Sequence, residues 1–297
     1  MIYLDNAASK LGNYGFYNSN SFYAEDNQIQ LEQARKKIAD VIKANPDEIY
    51  FTSGGCESNS WAIQGIARAN KKKGNHIITS QIEHPSILNC CKQLEKEGYK
   101  VTYLPVDELG YINLDELLNA IKPTTILISI MHINNEIGTK QRIYEIGRIA
   151  RSKEIYFHTD CVQSMGIIPI DVDKSYIDLL SASGHKFGAP FGVGFLYIKK
   201  GVNIQPLIFG GSQEQGLRGG TTNFVSIIDM SEKLERMDSE EIINKKIETG
   251  LVRLYLQDKL KEELGEYLLK INTPINSTIN ILSVTFKNID SEELLSF

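Results

Sequence analysis

Residues 49–57 read Ile49-Tyr50-Phe51-Thr52-Ser53-Gly54-Gly55-Cys56-Glu57. Ile49 to Thr52 is a short apolar run rich in β-branched and aromatic side chains, the composition of a strand. The glycines turn the chain, and a helix follows through Ala69. A strand, a glycine turn and a helix N-terminus in succession are the building unit of layered α/β proteins.

The pattern repeats outward from this unit. Upstream, Gln28 to Ala44 carries Ile29, Ala34, Ile38, Val41 and Ile42 on one stripe and keeps Glu32, Lys36, Lys37 and Asp40 off it, as an amphipathic helix does. Downstream, strands fit Ile77 to Ser80, Val101 to Leu104, Thr125 to Ile130 and Ile155 to Thr159. Helices near Ser86 to Glu97, Leu114 to Ile121 and Ile143 to Lys153 lie between them. Every crossover has room for a helix, so the strands are expected to be mostly parallel. A glycine-rich strand pair follows around Ser181 to Lys199, and then long helices over Asn223 to Arg236 and Ser239 to Leu264. Tyr267 to Ile271 and Ile279 to Phe286 alternate like half-buried strands, and Ser291 opens a further helix. The expected fold is α/β: a large domain over residues 9–238 with a mostly parallel central sheet, and a small, incomplete α+β domain made of 239–297 with 1–8.

Composition narrows the class. The 297 residues are 42% hydrophobic and 23% charged, with a net charge of -5, which fits an ordered protein. Lys71, Lys72 and Lys73 form the one basic cluster, so no nucleic-acid partner is expected. Asp5 stands where a secretory leader carries basic residues, and the apolar run Ile126 to Ile133 is far below the roughly 18 residues of a membrane span. A cytoplasmic protein with no membrane partner is expected. Cys56, Cys90, Cys91 and Cys161 show neither a disulfide framework nor metal spacing, and the five histidines show no paired ligand spacing. Reduced thiols and no metal site are the expectation.

Three segments carry chemistry when taken together. Ser53-Gly54-Gly55-Cys56 lets backbone N–H groups point at an anion on a helix N-terminus, although taken alone it reads first as a tight turn. His158-Thr159-Asp160-Cys161-Val162-Gln163 ends an apolar strand, where open α/β sheets bind ligands. A buried Asp160 needs a partner, and a protonated pyridine nitrogen would supply one. In Ser181-Ala182-Ser183-Gly184-His185-Lys186-Phe187-Gly188, a lysine enclosed by small and apolar residues becomes a nucleophilic amine able to form a Schiff base; the alternative is a surface lysine in a loop. His132 and His158 read as core residues, and His84 before Pro85 could serve as a helix cap.

These segments, with Tyr3 to Ala8, Phe51 to Gly54, Glu83-His84, Met131 to Gly138 and Arg218 to Thr221, resemble the cysteine desulfurases of the class V aminotransferase group over nearly the whole chain. The resemblance implies a pyridoxal 5'-phosphate (PLP) enzyme of the aspartate-aminotransferase-like fold that takes sulfur from L-cysteine and leaves L-alanine. It also implies a role in iron–sulfur cluster assembly, with a sulfur-acceptor or scaffold protein as partner. It makes Lys186 the Schiff-base lysine and proton carrier, His84 the imidazole stacked on the ring, and Asp160 the partner of the ring nitrogen. Gln163 becomes a donor to the ring hydroxyl, Asn135 a contact of the ring hydroxyl and the substrate, and Gly55, Cys56, Ser183 and His185 contacts of the phosphate. Thr221 matches the residue that reaches the phosphate of a neighbouring subunit, which implies a homodimer.

The sequence departs from the family at points that set further expectations. The loop bearing the family's catalytic cysteine, and the arginine that holds the substrate carboxylate, are expected after residue 297. Little desulfurase turnover is therefore expected of residues 1–297 alone. The segment between Ala8 and Gln28 is short, and Cys56 stands where the family usually has a threonine. Cys161 is expected to turn into the core, and none of the cysteines is expected to carry a persulfide. A non-catalytic homologue acting as an assembly partner and another PLP lyase or aminotransferase remain as alternatives.

Overall fold

A computed structural model describes residues 25–295; the expectations placed on residues 1–24 lie outside it. The 49–57 unit folds as read: β1 spans Ile49–Thr52 and α2 Gly55–Ala69, preceded by α1 at Glu25–Ile42. Then come β2 (His76–Ser80), α3 (Pro85–Lys96), β3 (Lys100–Leu104), α4 (Leu114–Ala120), β4 (Thr125–Ser129), α5 (Ile143–Ser152) and β5 (Tyr156–Asp160). The pair β6 (Leu179–Ser183) and β7 (Gly194–Ile198) is followed by α6 (Phe224–Glu235), α7 (Glu240–Leu264), β8 (Leu268–Ile271), β9 (Val284–Phe286) and α8 (Ser291–Leu295).

Seven strands form one sheet in the order β1-β7-β6-β5-β4-β2-β3. The five from β6 to β3 are mutually parallel; β7 runs antiparallel between β6 and β1, so β1 points the same way as those five. β2, β4, β6 and β7 are buried at every position, as expected of a sheet covered on both faces. Alternation sends successive side chains to opposite layers. Ile77, Leu127, Leu179 and Leu196 pack with Trp61, Ile63 and Ile66 of α2 and Ile87 and Leu94 of α3. Their neighbours Ile78, Ile128, Leu180 and Phe195 pack with Ile38 and Ile42 of α1, Ile146 of α5 and Ile227 of α6.

Two expectations need correction. Ile29, assigned to the buried stripe of α1, is 51% exposed: contact with the core begins at Leu31 and full burial at Ala34, so the first turns extend past the layer they cover. The strand read over Ile279 to Phe286 shrinks to β9, because alternation alone does not supply a pairing partner for Ile279 to Ser283, and β8 pairs only with Val284 to Phe286. β8 and β9 form a separate two-stranded sheet. Its neighbour α7 buries none of its side chains and exposes Ile247, Leu251, Val252 and Tyr255.

Between β7 and α6 the chain makes a long excursion whose two limbs cross backbone against backbone. A Cβ on Gly210 would lie 2.6 Å from the Gly219 Cα, and one on Gly219 2.4 Å from the Gly210 Cα. Inside this loop the Glu214 carboxylate reaches back to the Phe51 N–H (2.9 Å) and pairs with the Arg35 guanidinium at 2.9 and 3.1 Å.

Candidate active site

The C-terminal ends of β4, β5 and β6 converge on the N-terminus of α2, and a cavity of about 210 Å³ opens there. This is the end of a parallel sheet where crossovers diverge and leave room for a ligand. Lys186, His84, Gly55, Cys56, Asn135, Asp160, Gln163, Ser183 and His185 all line it.

Asp160 is the last residue of β5 and is buried. Its Oδ1 accepts the Val162 N–H (2.8 Å), and its Oδ2 accepts the Asn59 side-chain amide (2.7 Å). Burial raises its pKa, against the pull of these two donors and of the neighbouring His84 and Lys186 side chains. No ion pair to Asp160 forms among the described residues. The carboxyl is held by neutral donors and directed at a site that can take a cation.

His84 ends the turn after β2 and is the N-cap of α3, where its Nδ1 accepts the Ser86 N–H at 3.1 Å. It caps the helix and also lines the cavity. Its loop is fastened to the segment after β4 twice. The buried Glu83 carboxylate accepts the Met131 N–H and the Ser80 hydroxyl, and Asn134 Nδ2 donates to the Ile82 carbonyl. Asn134 also accepts the N–H groups of Glu136 and Ile137, which shapes the turn carrying Asn135. His84 and Asn135 therefore sit on loops braced against each other.

At the opposite end, Gly54 adopts a φ of +146°, and Gly55 packs so closely that an added Cβ would lie 2.7 Å from the Val162 Cγ2. Backbone approach here requires glycine. The first N–H groups of α2 have no partner within the helix, and Cys56 is exposed beside them. Ser183 Oγ lies 3.0 Å from His185 Nδ1, and the His185 ring stacks on Phe191. Burial and the neighbouring Lys186 lower the His185 pKa, so this ring is held toward its neutral form.

Lys186 stands in a single 3-10 turn, Gly184–Phe187, directly after β6. It is exposed, not enclosed. The expected burial among small and apolar residues is a correction: the small residues before it belong to the strand interior, and Gly188 at φ +88° carries the turn outward. Thr221 does not reach this cavity; it lines a smaller one with Ser53, Gly192 and Arg218. Arg218 donates to Glu57 of α2 at 2.9 and 3.1 Å, which ties the Thr221 loop to the glycine turn.

Sequence reading missed Asn59, Met131 and Ile133 as lining residues. Asn59 lies one helical turn beyond Cys56, so the i, i+3 spacing on α2 was the available signal. His158 spans β4 to β6 through Ser129 (2.8 Å) and Ser181 (2.9 Å), with its pKa pushed down to about 3 by burial. His132 is buried as well. Cys161 is fully buried, its thiol pushed up to about 12, and Cys90 and Cys91 are buried in α3. No cluster of three metal-ligating side chains occurs among the described residues, and no helix there is long and apolar enough to cross a membrane.

Residues 12–297 match the family model for class-V aminotransferases. The chain is 50% identical over 288 residues to the cysteine desulfurase IscS of Methanosarcina thermophila, covering 94% of this chain and 69% of that protein. It is 38% identical to the putative cysteine desulfurase IscS 1 of Bacillus subtilis, covering 99% and 81%. Among solved structures it is similar to a NifS-like protein, with a TM-score of 0.87, 39% identity and coverage of 95% and 77%. It is also similar to SspA in complex with cysteine, with a TM-score of 0.82, 39% identity and coverage of 94% and 78%.

Proposed function

For a chain that belongs to the class-V aminotransferases and, among them, to the PLP-dependent cysteine desulfurases, we propose that the cavity at the head of α2 is the place where PLP and L-cysteine meet. The observation that carries this is the gathering of one amine, one buried carboxyl and one glycine-opened helix N-terminus around a single cavity. The residues fit the cofactor. Asp160 has no cationic partner among the described residues and a protonated ring nitrogen would provide one; Asn59 Oδ1 is buried without a hydrogen-bond partner beside it. The free amides of α2 with Ser183 and His185 suit a phosphate.

When bound, PLP supplies a ring that withdraws electrons from the substrate's reacting carbon. On this reading Lys186 holds the cofactor through its Nζ and afterwards moves the proton at the substrate carbon. Asp160 would pair with a protonated ring nitrogen, and His84 would lie against the ring. Gln163 and Asn135 orient the ring hydroxyl, while Gly55, Cys56, Ser183 and His185 hold the phosphate. Thr221 serves a neighbouring copy in a homodimer, and a sulfur-acceptor protein in the cytoplasm takes the product onward toward iron–sulfur clusters. The large unit covers residues 9–238 and the smaller one 239–297 with 1–8.

Titration with PLP followed by L-cysteine tests the assignment. A Lys186-dependent visible band that changes with L-cysteine and not with L-aspartate supports it. A band indifferent to L-cysteine overturns the substrate, and sedimentation as a monomer overturns the shared site.

A further inference from the structure

Asp160 and His84, on different elements, are joined through two side chains that the proposed chemistry does not use. Asn59 Nδ2 donates to Asp160 Oδ2 at 2.7 Å and to Ser86 Oγ at 2.9 Å. Ser86 Oγ lies 2.8 Å from His84 Nδ1, and the Ser86 backbone N–H points at the same nitrogen at 3.1 Å.

The polarity of this chain follows from its fixed members. A backbone N–H can only donate, so His84 Nδ1 must accept and cannot carry the proton of the neutral ring. An amide NH₂ can only donate, so Ser86 Oγ accepts from Asn59, and its own hydrogen is left for Nδ1. Turning the Asn59 amide over would set its oxygen 2.7 Å from a carboxylate oxygen. The orientation shown instead leaves Asn59 Oδ1 buried without a partner, at the cost of an unmade hydrogen bond. Such a cost is sustained when the alternative sets acceptor against acceptor.

We propose that Asn59 and Ser86 are positioning residues that fix His84 as the Nε2–H tautomer, with Nδ1 closed off by two donors and the proton carried on the nitrogen that makes no hydrogen bond among the described residues. His84 then meets whatever occupies the cavity as an Nε2–H donor. Because the same amide holds Asp160, one residue sets the orientation of both groups. This inference rests on the cofactor reading for its consequence in catalysis, but the tautomer is a property of the protein without cofactor.

The test is ¹⁵N NMR of histidine-labelled, cofactor-free protein at a pH of about 8, well above the ordinary imidazole pKa of about 6.5, with His84 assigned through His84→Gln. The wild type shows the Nε2–H pattern for His84. In Ser86→Ala the ratio of that tautomer to the other falls about fivefold, the equivalent of one hydrogen bond, and Ser86→Thr restores it. Asn59→Ala lowers the ratio as well, while the buried His158 and His76 signals stay in place and report an intact fold. A wild-type His84 protonated on Nδ1, or a ratio unchanged in both Ser86→Ala and Asn59→Ala, overturns the proposal. PLP uptake is measured separately: wild type that shows the Nε2–H pattern yet forms no Lys186-dependent band would overturn the cofactor reading and leave this one standing.

Discussion

Both carboxylate oxygens of Glu83 lie within hydrogen-bond distance of the Met131 N–H, at 3.0 and 3.1 Å, across 48 residues of chain. The carboxyl is buried at the junction of the His84 loop and the strand end that lines the cavity. Burial lifts its pKa to about 8, against the N–H of Met131 and the Ser80 hydroxyl, which favour the ionised form.

A pH dependence of stability follows from this lift. Between the unfolded value of 4.5 and about 8 the folded state keeps a proton that the unfolded chain loses. Stability from this group is thus complete below 4.5 and declines as pH rises through that window, by up to about 1.4 kcal/mol per pH unit. Glu83→Gln, which mimics the neutral acid, should remove the decline. Urea unfolding of both proteins from pH 5 to pH 8 checks it; parallel curves would refute the raised pKa.

Gly55→Ala should weaken PLP binding by tenfold or more. The new Cβ would meet the Val162 Cγ2 at 2.7 Å, and Val162 lines the cavity and donates to Asp160. Overpacking of this kind costs about 1–3 kcal/mol. Fluorescence titration of the cofactor and thermal unfolding measure the two effects separately.

Cys56→Thr should tighten PLP binding by about fivefold, because a hydroxyl is a stronger donor than a thiol and one hydrogen bond is worth ~1 kcal/mol. Equilibrium dialysis decides it, and unchanged affinity would place the Cys56 side chain away from the phosphate.

Lys186→Ala should abolish the visible band of protein-bound PLP and its capture by borohydride, while leaving the unfolding midpoint within about 0.5 kcal/mol of wild type, since the side chain is exposed. Mass spectrometry of the reduced adduct locates the modified residue.

The sheet was legible because its strands are short, apolar and separated by periodic helices, and because burial on both faces makes Ile77-Ile78 or Leu179-Leu180 read continuously. The cavity was legible for residues beside glycines or strand ends. Asn59 was not, because a polar residue inside a helix carries no mark of what it faces until the strand beyond is in place. Ile29 misled because one isoleucine at the right helical phase looks the same whether or not the sheet extends beneath it. The setting of Lys186 misled in a related way: small residues preceding it in sequence surround a strand, not the side chain that follows. The pairing of Glu83 with Met131 depends on two loops meeting, which no local pattern encodes.

The bare crossing of Gly210 and Gly219 bears on how this protein can diversify. Any side chain at either limb pushes the other away, and Glu214, anchored on Arg35 and Phe51, fixes the middle of the excursion. Inherited insertions or grafted sequence are left only the exposed stretches between these three points, around Gly211 and Ser212 or Gln215 and Gly216. A lineage that lengthens the loop there keeps Thr221 where it is, whereas one that replaces either crossing glycine shifts it.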